Sequence, residues 1–446
     1  MGGVCRVLAL AALFGLGGAG FWCAQASATT TITIGAGGGT PISPLLYGVN
    51  YVWEKIPAPR FAAYEAAMEN VAHATLSRYL GGWGAESYDW ARNIETGKRA
   101  VAVAGVAPAA FLASVPAVSF ITPSVAAVKD PSYIGQTAKF DAYLVGKYGG
   151  QVKYWEIGNE WWLQGGAKKS AARRAENLTN YAALVAAAAP AMKAADPSVK
   201  IFVMADWAAP DEISRMREEA GRGWDSVDGV SVHSYCGTTD PTRRCDELPA
   251  GMAAVREASG RSLIYASEWA AVRAMNPDDS GIRNASLTVR ALGDMVAGGI
   301  SLAAYWPPVG IVPELSFCSA DFRTAYATGI AFGWMSQYYE GTALSASGGA
   351  LAARQGDEVT VIVPTGDDGP QSFRLALDGT GLKGLVSAAV LYTGGDQDDA
   401  AGRQGEVADL PVAIEQEGGA KFAVFSLDPG GAGRGAAFEI ARVTLR

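Results

Sequence analysis

Short apolar runs alternate with amphipathic stretches over residues 46–340. The runs are rich in β-branched and aromatic residues and end at Gly, Asn, Asp or Pro, which predicts strands; the stretches between them have helical spacing. Eight strands that alternate with helices are typical of a (β/α)8 TIM barrel. The predicted barrel strands are Leu46–Asn50, Thr75–Tyr79, Val115–Ile121, Tyr154–Trp161, Val199–Asp206, Asp228–Tyr235, Ser262–Trp269 and Gly299–Trp306.

The longest amphipathic stretches predict helices at 60–73, 133–148 and 176–195. After about Thr342 the pattern changes to short strands between Gly- and Asp-rich turns, which is typical of a β-sandwich. We therefore predict a barrel domain over 46–340 and a C-terminal β-sandwich domain over 341–446. The predicted sandwich strands are Glu358–Val363, Ser372–Leu377, Val386–Tyr392, Lys421–Leu427 and Ala437–Leu445.

Residues 1–28 have the pattern of a secretory signal peptide. Arg6 is their only charged residue, an apolar run follows it, and small residues at 24–28 offer cleavage after Ala26 or Ala28. Cys23 raises the alternative of a lipoprotein, but the bulky Phe21 and Trp22 before it disfavour that interpretation. We expect a secreted or periplasmic protein with no membrane segment in its mature form.

The charge balance and the cysteines indicate which partners and which cellular compartment to expect. The chain has 36 basic and 44 acidic residues, and removal of Arg6 leaves 36 − 1 = 35 basic residues and a net charge of −9. This balance disfavours nucleic acid as a partner. In an oxidising compartment, Cys236 and Cys245 are close enough in sequence to form a disulfide, which leaves Cys318 as a free thiol.

Two glutamates stand at the ends of predicted strands. Glu160 ends the apolar run YWEIGNEW, and Glu268 ends SLIYASEW. In a barrel of parallel strands the carboxyl ends carry the catalytic groups, and glycoside hydrolysis requires a pair of carboxyl groups. For either residue alone, a solvated loop charge is the simpler interpretation. Two such residues, each beside tryptophan, favour a catalytic pair.

The chain contains two histidines, which excludes a zinc site with three His ligands and restricts any Ser-His-Asp triad to one of them. His73 lies among alanines in a predicted helix and is interpreted as structural. His233 lies at a strand end, and strand alternation places it on the same side as Tyr235. A buried histidine with a purely structural role is the alternative for His233.

Five segments together resemble the retaining glycoside hydrolases of clan A. Gly158–Glu160 (GNE), His233–Tyr235 (HSY) and Ser267–Trp269 (SEW) occur in the clan's order, while Leu46–Asn50 (LYGVN) and Arg78–Trp90 (RYLGGWGAESYDW) resemble the family 51 arabinofuranosidases and the family 44 endoglucanases. The resemblance runs from about residue 30 to the C-terminus. It implies that a leading strand within 29–45 joins the β-sandwich, and that the reaction needs no cofactor and no metal.

The resemblance also implies catalytic roles. Glu160 is expected to be the general acid and base and Glu268 the nucleophile, with their carboxyl groups about 5–5.5 Å apart. Arg78 is expected to hold Glu268 in its ionised form, and Tyr235 to donate a hydrogen bond to it.

Three further residues match positions that bind substrate in the clan. Asn159 matches an asparagine that contacts the sugar 2-hydroxyl, His233 a substrate-binding residue, and Trp306 the aromatic floor of the site. Two features depart from family 51: Trp83 replaces the asparagine of its RYPGGN motif, and the pair Trp161-Trp162 replaces small residues.

Because of these two departures, the resemblance does not identify the sugar whose bond is cleaved. The expected substrate is a polysaccharide or oligosaccharide, and the activity is either arabinofuranosidase-like or endo-β-glucanase/xylanase-like. A non-catalytic polysaccharide-binding or export protein built on the same barrel is the alternative from another functional class.

Overall fold

The computed structural model describes residues 29–52, 55–90, 94–95, 105–115, 117–235, 245–271, 281–310, 315–365, 371–395, 403–428 and 439–446. The predicted signal peptide and Cys236 lie outside these ranges. The signal peptide and the bridge between Cys236 and Cys245 therefore stay predictions. Cys318 is described, and it is a buried free thiol.

Eight parallel strands close into a barrel, which confirms the predicted fold class. The barrel encloses side chains from all eight strands and is a packed core rather than a pore. In chain order, barrel strands one to eight are Gly48–Asn50, Leu76–Tyr79, Val118–Thr122, Tyr154–Ile157, Lys200–Ala205, Gly229–Tyr235, Leu263–Ala270 and Leu302–Tyr305.

Helices surround the barrel, and the longest begins five residues before its predicted start. Ser170 caps this helix by accepting a hydrogen bond from the backbone N–H of Arg173 at 3.2 Å, so the helical turn starts at once after Ser170. None of the described helices combines the length and the apolar character that a bilayer span requires. The α-helices are Phe61–Ala67, Pro108–Leu112, Val125–Lys129, Ile134–Tyr148, Ala171–Ala195, Pro210–Ala220, Leu248–Ser259, Gly281–Ala297 and Ala327–Tyr338.

The C-terminal residues form two further sheets with their own apolar core, and residues before the barrel contribute to both. Thr30–Thr33 pairs in parallel with Gln371–Ala376, and Thr40–Pro41 pairs with Thr342–Leu344. The first sheet has the order Thr30–Thr33, Gln371–Ala376, Ala420–Leu427, Ala413–Glu417. The second has the order Gly405–Asp409, Leu385–Thr393, Ile440–Leu445, Glu358–Pro364, Leu351–Gln355, Thr342–Leu344, Thr40–Pro41.

The fourth barrel strand ends at Ile157, four residues before its predicted end. Gly158 has φ +72°, a left-handed conformation that suits glycine, and a Cβ there would overlap the hydroxyl of Ser124. The chain therefore leaves the sheet at Gly158 and turns into a 3-10 segment that begins at Trp161. Glu160 lies in this turn, between the strand and the 3-10 segment.

Candidate active site

Glu160 and Glu268 lie together at the carboxyl end of the barrel, with His233 between them. A carboxylate oxygen of Glu160, a ring nitrogen of His233 and a carboxylate oxygen of Glu268 all lie within 4.8 Å of one another. Glu268 is buried, whereas the Glu160 side chain is 21% exposed to solvent. One carboxyl group therefore stays accessible from solvent while the other is enclosed.

The backbone of Glu160 is strained. Glu160 has φ 45° and ψ 53°, in the left-handed region that non-glycine residues seldom occupy. Such conformations occur at functional sites where the surrounding structure holds them in place. Here the surrounding structure is the turn formed by Gly158 and Asn159.

Glu86 holds that turn. Its buried carboxylate accepts hydrogen bonds from the backbone N–H of Asn159 at 2.6 Å, the backbone N–H and hydroxyl of Ser124, each at 2.7 Å, and the N–H of Val125 at 2.8 Å. Burial raises the pKa of Glu86, although the four hydrogen bonds act in the opposite direction. The residue before Glu160 is thus hydrogen-bonded to a buried carboxylate.

Glu268 is aimed by a bulge in the seventh barrel strand. The register with strand six shifts so that Val232 pairs with Ala266 but His233 pairs with Glu268, which skips Ser267. A bulge re-aims the side chains beside it, and bulges recur near active sites. Glu268 consequently stands within a strand that continues to Ala270, rather than at its end as the sequence predicted.

Two donors contact the Glu268 carboxylate. Arg78 Nη1 donates to Oε1 at 2.8 Å, and the Tyr235 hydroxyl donates to Oε2 at 2.7 Å. Burial, together with the charge of Glu268, holds the pKa of Tyr235 well above its ordinary value, so the tyrosine remains a proton donor in this hydrogen bond. Together these two contacts fix the orientation of the Glu268 carboxylate.

Arg78 is fully buried and serves two carboxylates. Its Nε lies 2.7 Å from Glu156 Oε1 and its Nη2 lies 3.2 Å from Glu156 Oε2, while Nη1 contacts Glu268. Burial opposes the charge, but Glu156 and Glu268 raise the pKa of Arg78 above its ordinary value. Asn50 and Asn159 complete its coordination through their Oδ1 atoms, each 3.1 Å away.

Asn50 connects the Arg78 cluster to barrel strands seven and eight, which lie on one side of its own strand in the barrel. Its Nδ2 donates to the backbone oxygens of Ser267 at 2.9 Å, Ala304 at 3.0 Å and Tyr305 at 3.2 Å. The first, seventh and eighth strands are thereby linked beneath Glu268. This network makes the floor of the site rigid.

His233 links the two glutamates. Its Nδ1 lies 2.8 Å from Glu160 Oε1 and 3.4 Å from Glu268 Oε2. Burial opposes protonation, but Glu268 and Glu160 raise the pKa of His233 above its ordinary value, and Arg78 opposes them in part. The edge of the Trp162 ring meets His233 at a centroid distance of 6.1 Å and restricts its rotation.

The tryptophans next to the glutamates belong to the core and are not sugar-binding surfaces. Trp161 is fully buried, stacks on Tyr181 and donates its indole N–H to the Met204 oxygen at 2.9 Å. Trp269 is 1% exposed and packs on Tyr305. Their positions beside the glutamates, which in the sequence favoured a catalytic pair, reflect packing of the barrel.

Trp306 and Trp83 are more exposed to solvent than Trp161 and Trp269. Trp306 is half-buried, and its ring packs on Gly81 and Gly82, where a Cβ would overlap it. Its backbone N–H donates to the oxygen of Trp269, the residue after Glu268, at 2.9 Å. Trp83, in the next position after Gly82, is 42% exposed.

Within the described part of the chain, one group of His, Cys, Asp or Glu side chains could gather on a metal ion: Glu160, His233 and Glu268. In this structure their ligand atoms face one another, and the hydrogen bond between His233 and Glu160 occupies one of them. We assign no metal to the group, because the same three side chains are sufficient for acid–base chemistry without one.

The structure brings together Arg78, Asn159, Glu160, His233, Tyr235 and Glu268 from the second, fourth, sixth and seventh strands and the turns that follow them. Sequence reasoning did not single out Glu156, Glu86 or Asn50. Glu156 carried a usable signal, because a charged residue inside a buried strand requires a partner. Glu86 carried none, since its partners lie 38 and 73 positions away in the chain.

Solved structures of glycoside hydrolases share this architecture. A family 51 α-L-arabinofuranosidase from Bifidobacterium longum superposes with a TM-score of 0.64 and 16% identity, covering 94% of this chain and 100% of that one. A GH39 β-xylosidase from Caulobacter crescentus gives 0.59 and 16%, covering 94% and 100%. A GH family 44 endoglucanase from Clostridium thermocellum gives 0.58 and 14%, covering 93% and 99%.

The chain has the fold of these glycoside hydrolases. The resemblance inferred from GNE, HSY and SEW is thus confirmed at the level of the fold, over almost the whole chain. No protein-family model matches the sequence, and no curated protein matches it. At 14–16% identity the likeness does not extend to substrate.

Proposed function

We propose that this protein is an exported glycoside hydrolase that cleaves O-glycosidic bonds of a polysaccharide or oligosaccharide with retention of configuration. The observation that carries the proposal is the pair Glu160 and Glu268 at the carboxyl end of the barrel, where one carboxylate oxygen of each lies within 4.8 Å of the other. Retaining enzymes place their two carboxyl groups about 5–5.5 Å apart, whereas inverting enzymes leave about 6.5–9.5 Å for a water molecule.

In the first step Glu268 attacks the anomeric carbon and Glu160 gives its proton to the leaving oxygen. The bond from the anomeric carbon to that oxygen breaks as the bond to Glu268 forms. Arg78 and Tyr235 support this assignment, because both contact the Glu268 carboxylate at 2.8 Å or less and hold it in place for the attack.

In the second step Glu160, now a carboxylate, takes a proton from water, and the water oxygen displaces Glu268 from the anomeric carbon. The partial exposure of Glu160 supports this role, since a general base for water must be reached from solvent. Two displacements at one carbon restore the original configuration.

Asn159 and His233 fit the substrate roles expected for them. Arg78 holds Asn159 Oδ1 at 3.1 Å, which orients the amide nitrogen as a donor for a sugar hydroxyl. His233 is held between the two glutamates and can stabilise negative charge that passes from one to the other during the cycle. Trp306 bounds the site beside Glu268.

Non-catalytic sugar binding is the competing proposal. A binding protein has no need of a buried nucleophile with two donors, a strained backbone at the acid and a bulge that aims a carboxylate. The presence of all three favours turnover. The choice between an arabinofuranosidase and an endo-acting glucanase or xylanase depends on the products.

The test is product analysis on arabinan, arabinoxylan, xylan and β-glucans, with Glu160→Gln and Glu268→Gln as controls. Hydrolysis by the unmodified protein that falls by at least about 1,000-fold in Glu268→Gln supports the proposal. Release of single sugars identifies an exo-acting enzyme, and a ladder of oligosaccharides an endo-acting one. Hydrolysis that survives in both variants, or none on any glycoside, would overturn it.

A further inference from the structure

The segment that follows the second barrel strand forms one rim of the candidate active site. Residues 82–87 form a 3-10 helix, Gly82–Ser87, that is held at both ends. At its start the ring of Trp306 packs on Gly82. Near its end Glu86 is bound to the backbone of Asn159, the neighbour of Glu160. This rim segment therefore spans from the residue beside the acid to the aromatic residue beside the nucleophile.

Trp83 lies between these two attachment points and faces solvent. Its side chain is 42% exposed, whereas the other tryptophans in the described ranges are buried or partly buried. Trp90, which belongs to the same loop, is instead packed among Tyr79, Tyr88 and Phe120. The loop thus buries one of its indoles and leaves the other uncovered.

An exposed indole on a rigid support is well suited to bind a ligand. Single exposed aromatic side chains are common on protein surfaces, so the significance of Trp83 comes from its position on the rim segment, between the contacts to Trp306 and to Asn159. Because the segment is held at Gly82 and Glu86, little conformational entropy remains to be lost when a ligand covers the ring. The indole has two χ angles to restrict and a broad apolar face.

We propose that Trp83 is a stacking platform for a second sugar ring, adjacent to the ring held at Glu160 and Glu268. The inference rests on the proposed function. A neutral sugar ring fits the platform, because its axial C–H groups form an apolar face that matches an indole face, while its hydroxyl groups remain in water. The natural substrate then occupies at least two subsites and is a chain of sugars rather than a single glycosyl group on a small aglycone.

The experiment compares kcat/KM of the unmodified protein, Trp83→Ala and Trp83→Phe on an aryl monoglycoside and on di-, tri- and tetrasaccharides of the sugar that the protein hydrolyses. Removal of an aromatic anchor from an interface costs about tenfold or more in affinity. The ratio of kcat/KM for the tetrasaccharide to that for the monoglycoside is expected to fall about tenfold in Trp83→Ala, mainly through KM. Trp83→Phe, which keeps a ring, is expected to retain most of it.

Tyr143→Ala is the matched control, since Tyr143 is 57% exposed on the helix Ile134–Tyr148 on the outside of the barrel. In Tyr143→Ala, the ratio of kcat/KM for the tetrasaccharide to that for the monoglycoside is expected to equal the ratio in the unmodified protein. Thermal melting checks that all variants are folded. A fall in Trp83→Ala that is equal on all chain lengths, or no fall, would overturn the platform.

Binding separates failure of this inference from failure of the proposed function. The tetrasaccharides of arabinose, xylose and glucose are titrated into each protein, and acrylamide quenching of tryptophan emission is measured with and without the sugar. If the sugar protects tryptophan emission from quenching in the unmodified protein but not in Trp83→Phe, the protected indole is Trp83 and the platform is supported. This result would stand even if no glycoside is hydrolysed, an outcome that would overturn the proposed function alone. Binding that is equal in the unmodified protein and Trp83→Ala, or no binding, overturns the platform.

Discussion

Arg78 makes its closest and only two-pronged ion pair with Glu156, not with the proposed nucleophile. Nε and Nη2 of Arg78 lie 2.7 and 3.2 Å from the two oxygens of Glu156, and both side chains are fully buried. The remaining nitrogen, Nη1, donates to Glu268 at 2.8 Å. One guanidinium therefore neutralises a structural carboxylate and orients a functional one, which couples stability to activity at this position.

The first prediction is that Arg78→Met lowers the free energy of unfolding by about 3–5 kcal/mol, because it leaves two buried carboxylates without their cation. Turnover is expected to fall at the same time. Chemical denaturation measures the first effect and steady-state kinetics the second. Arg215→Met is the control: Arg215 pairs with Glu219 on the surface, so its loss is expected to cost less than about 1 kcal/mol.

The double variant Arg78→Met, Glu156→Leu separates the two roles of the arginine. Replacing both members of a buried pair by apolar residues is often neutral for stability, so much of the lost stability should return. Activity should not return, since Glu268 still lacks its contact. Recovery of activity in the double variant would show that Arg78 acts through the fold alone.

The second prediction concerns Glu86. In Glu86→Gln an amide group replaces one of the two oxygens that accept hydrogen bonds from Ser124, Val125 and Asn159, so at least one buried donor loses its acceptor, at a cost of about 1–3 kcal/mol. The turn before Glu160 should shift, and misplacement of a catalytic group by about 1 Å lowers the rate roughly 100-fold.

We therefore expect kcat of Glu86→Gln to fall by roughly 10- to 100-fold on every substrate, with a smaller change in KM. Glu69→Gln is the control, because Glu69 is an exposed carboxylate. A loss of stability with unchanged kcat would contradict a positioning role for Glu86.

The sequence predicted the barrel because hydrophobic periodicity and the residues that end strands are local signals. It also indicated both glutamates. Gly158-Asn159 shows that the fourth strand ends before Glu160, and Glu268 closes the apolar run SLIYASEW. It could not show the shared position of Arg78 or the anchoring by Glu86, since these depend on contacts that only the closed barrel creates. The bulge before Glu268 was missed for the same reason: a shift of register is a relation between two strands and has no signature in either one.

The third prediction is a pH dependence of stability. The groups that face His233 are Glu268, Glu160, Arg78 and Tyr235, and the net effect is a raised His233 pKa, because the two glutamates outweigh burial and Arg78. A histidine with a raised pKa stabilises the folded protein when protonated. That contribution is complete below its ordinary pKa of about 6.5 and is lost as the pH rises through the higher folded-state value.

The difference in melting temperature between the unmodified protein and His233→Gln should accordingly be largest below about pH 6.5 and shrink at higher pH. His73→Gln is a control of opposite sign, because burial lowers the pKa of His73. A difference for His233→Gln that grows with pH would show that the folded protein disfavours the protonated form of His233, and a constant difference would show that folding does not change its pKa; either result contradicts the prediction.

The final prediction tests the two glutamates by making each variant fail in a different way. Glu268→Ala removes the nucleophile, so no glycosyl-enzyme forms and turnover should fall by at least about 10,000-fold on every substrate. Azide can enter the space that the carboxylate leaves and attack the anomeric carbon from that side. The product of this single displacement is a glycosyl azide of inverted configuration.

Glu160→Ala keeps the nucleophile but loses the proton donor. Aryl glycosides with good leaving groups do not need that proton, so their first step should proceed and give a burst of aryl alcohol, followed by a stall because no base activates water. Azide, which needs no base, should relieve the stall and give a glycosyl azide of retained configuration after two displacements. NMR of the two azide products decides the assignment: the same configuration from both variants, or a first-formed sugar of inverted configuration from the unmodified protein, would exclude Glu268 as a covalent nucleophile.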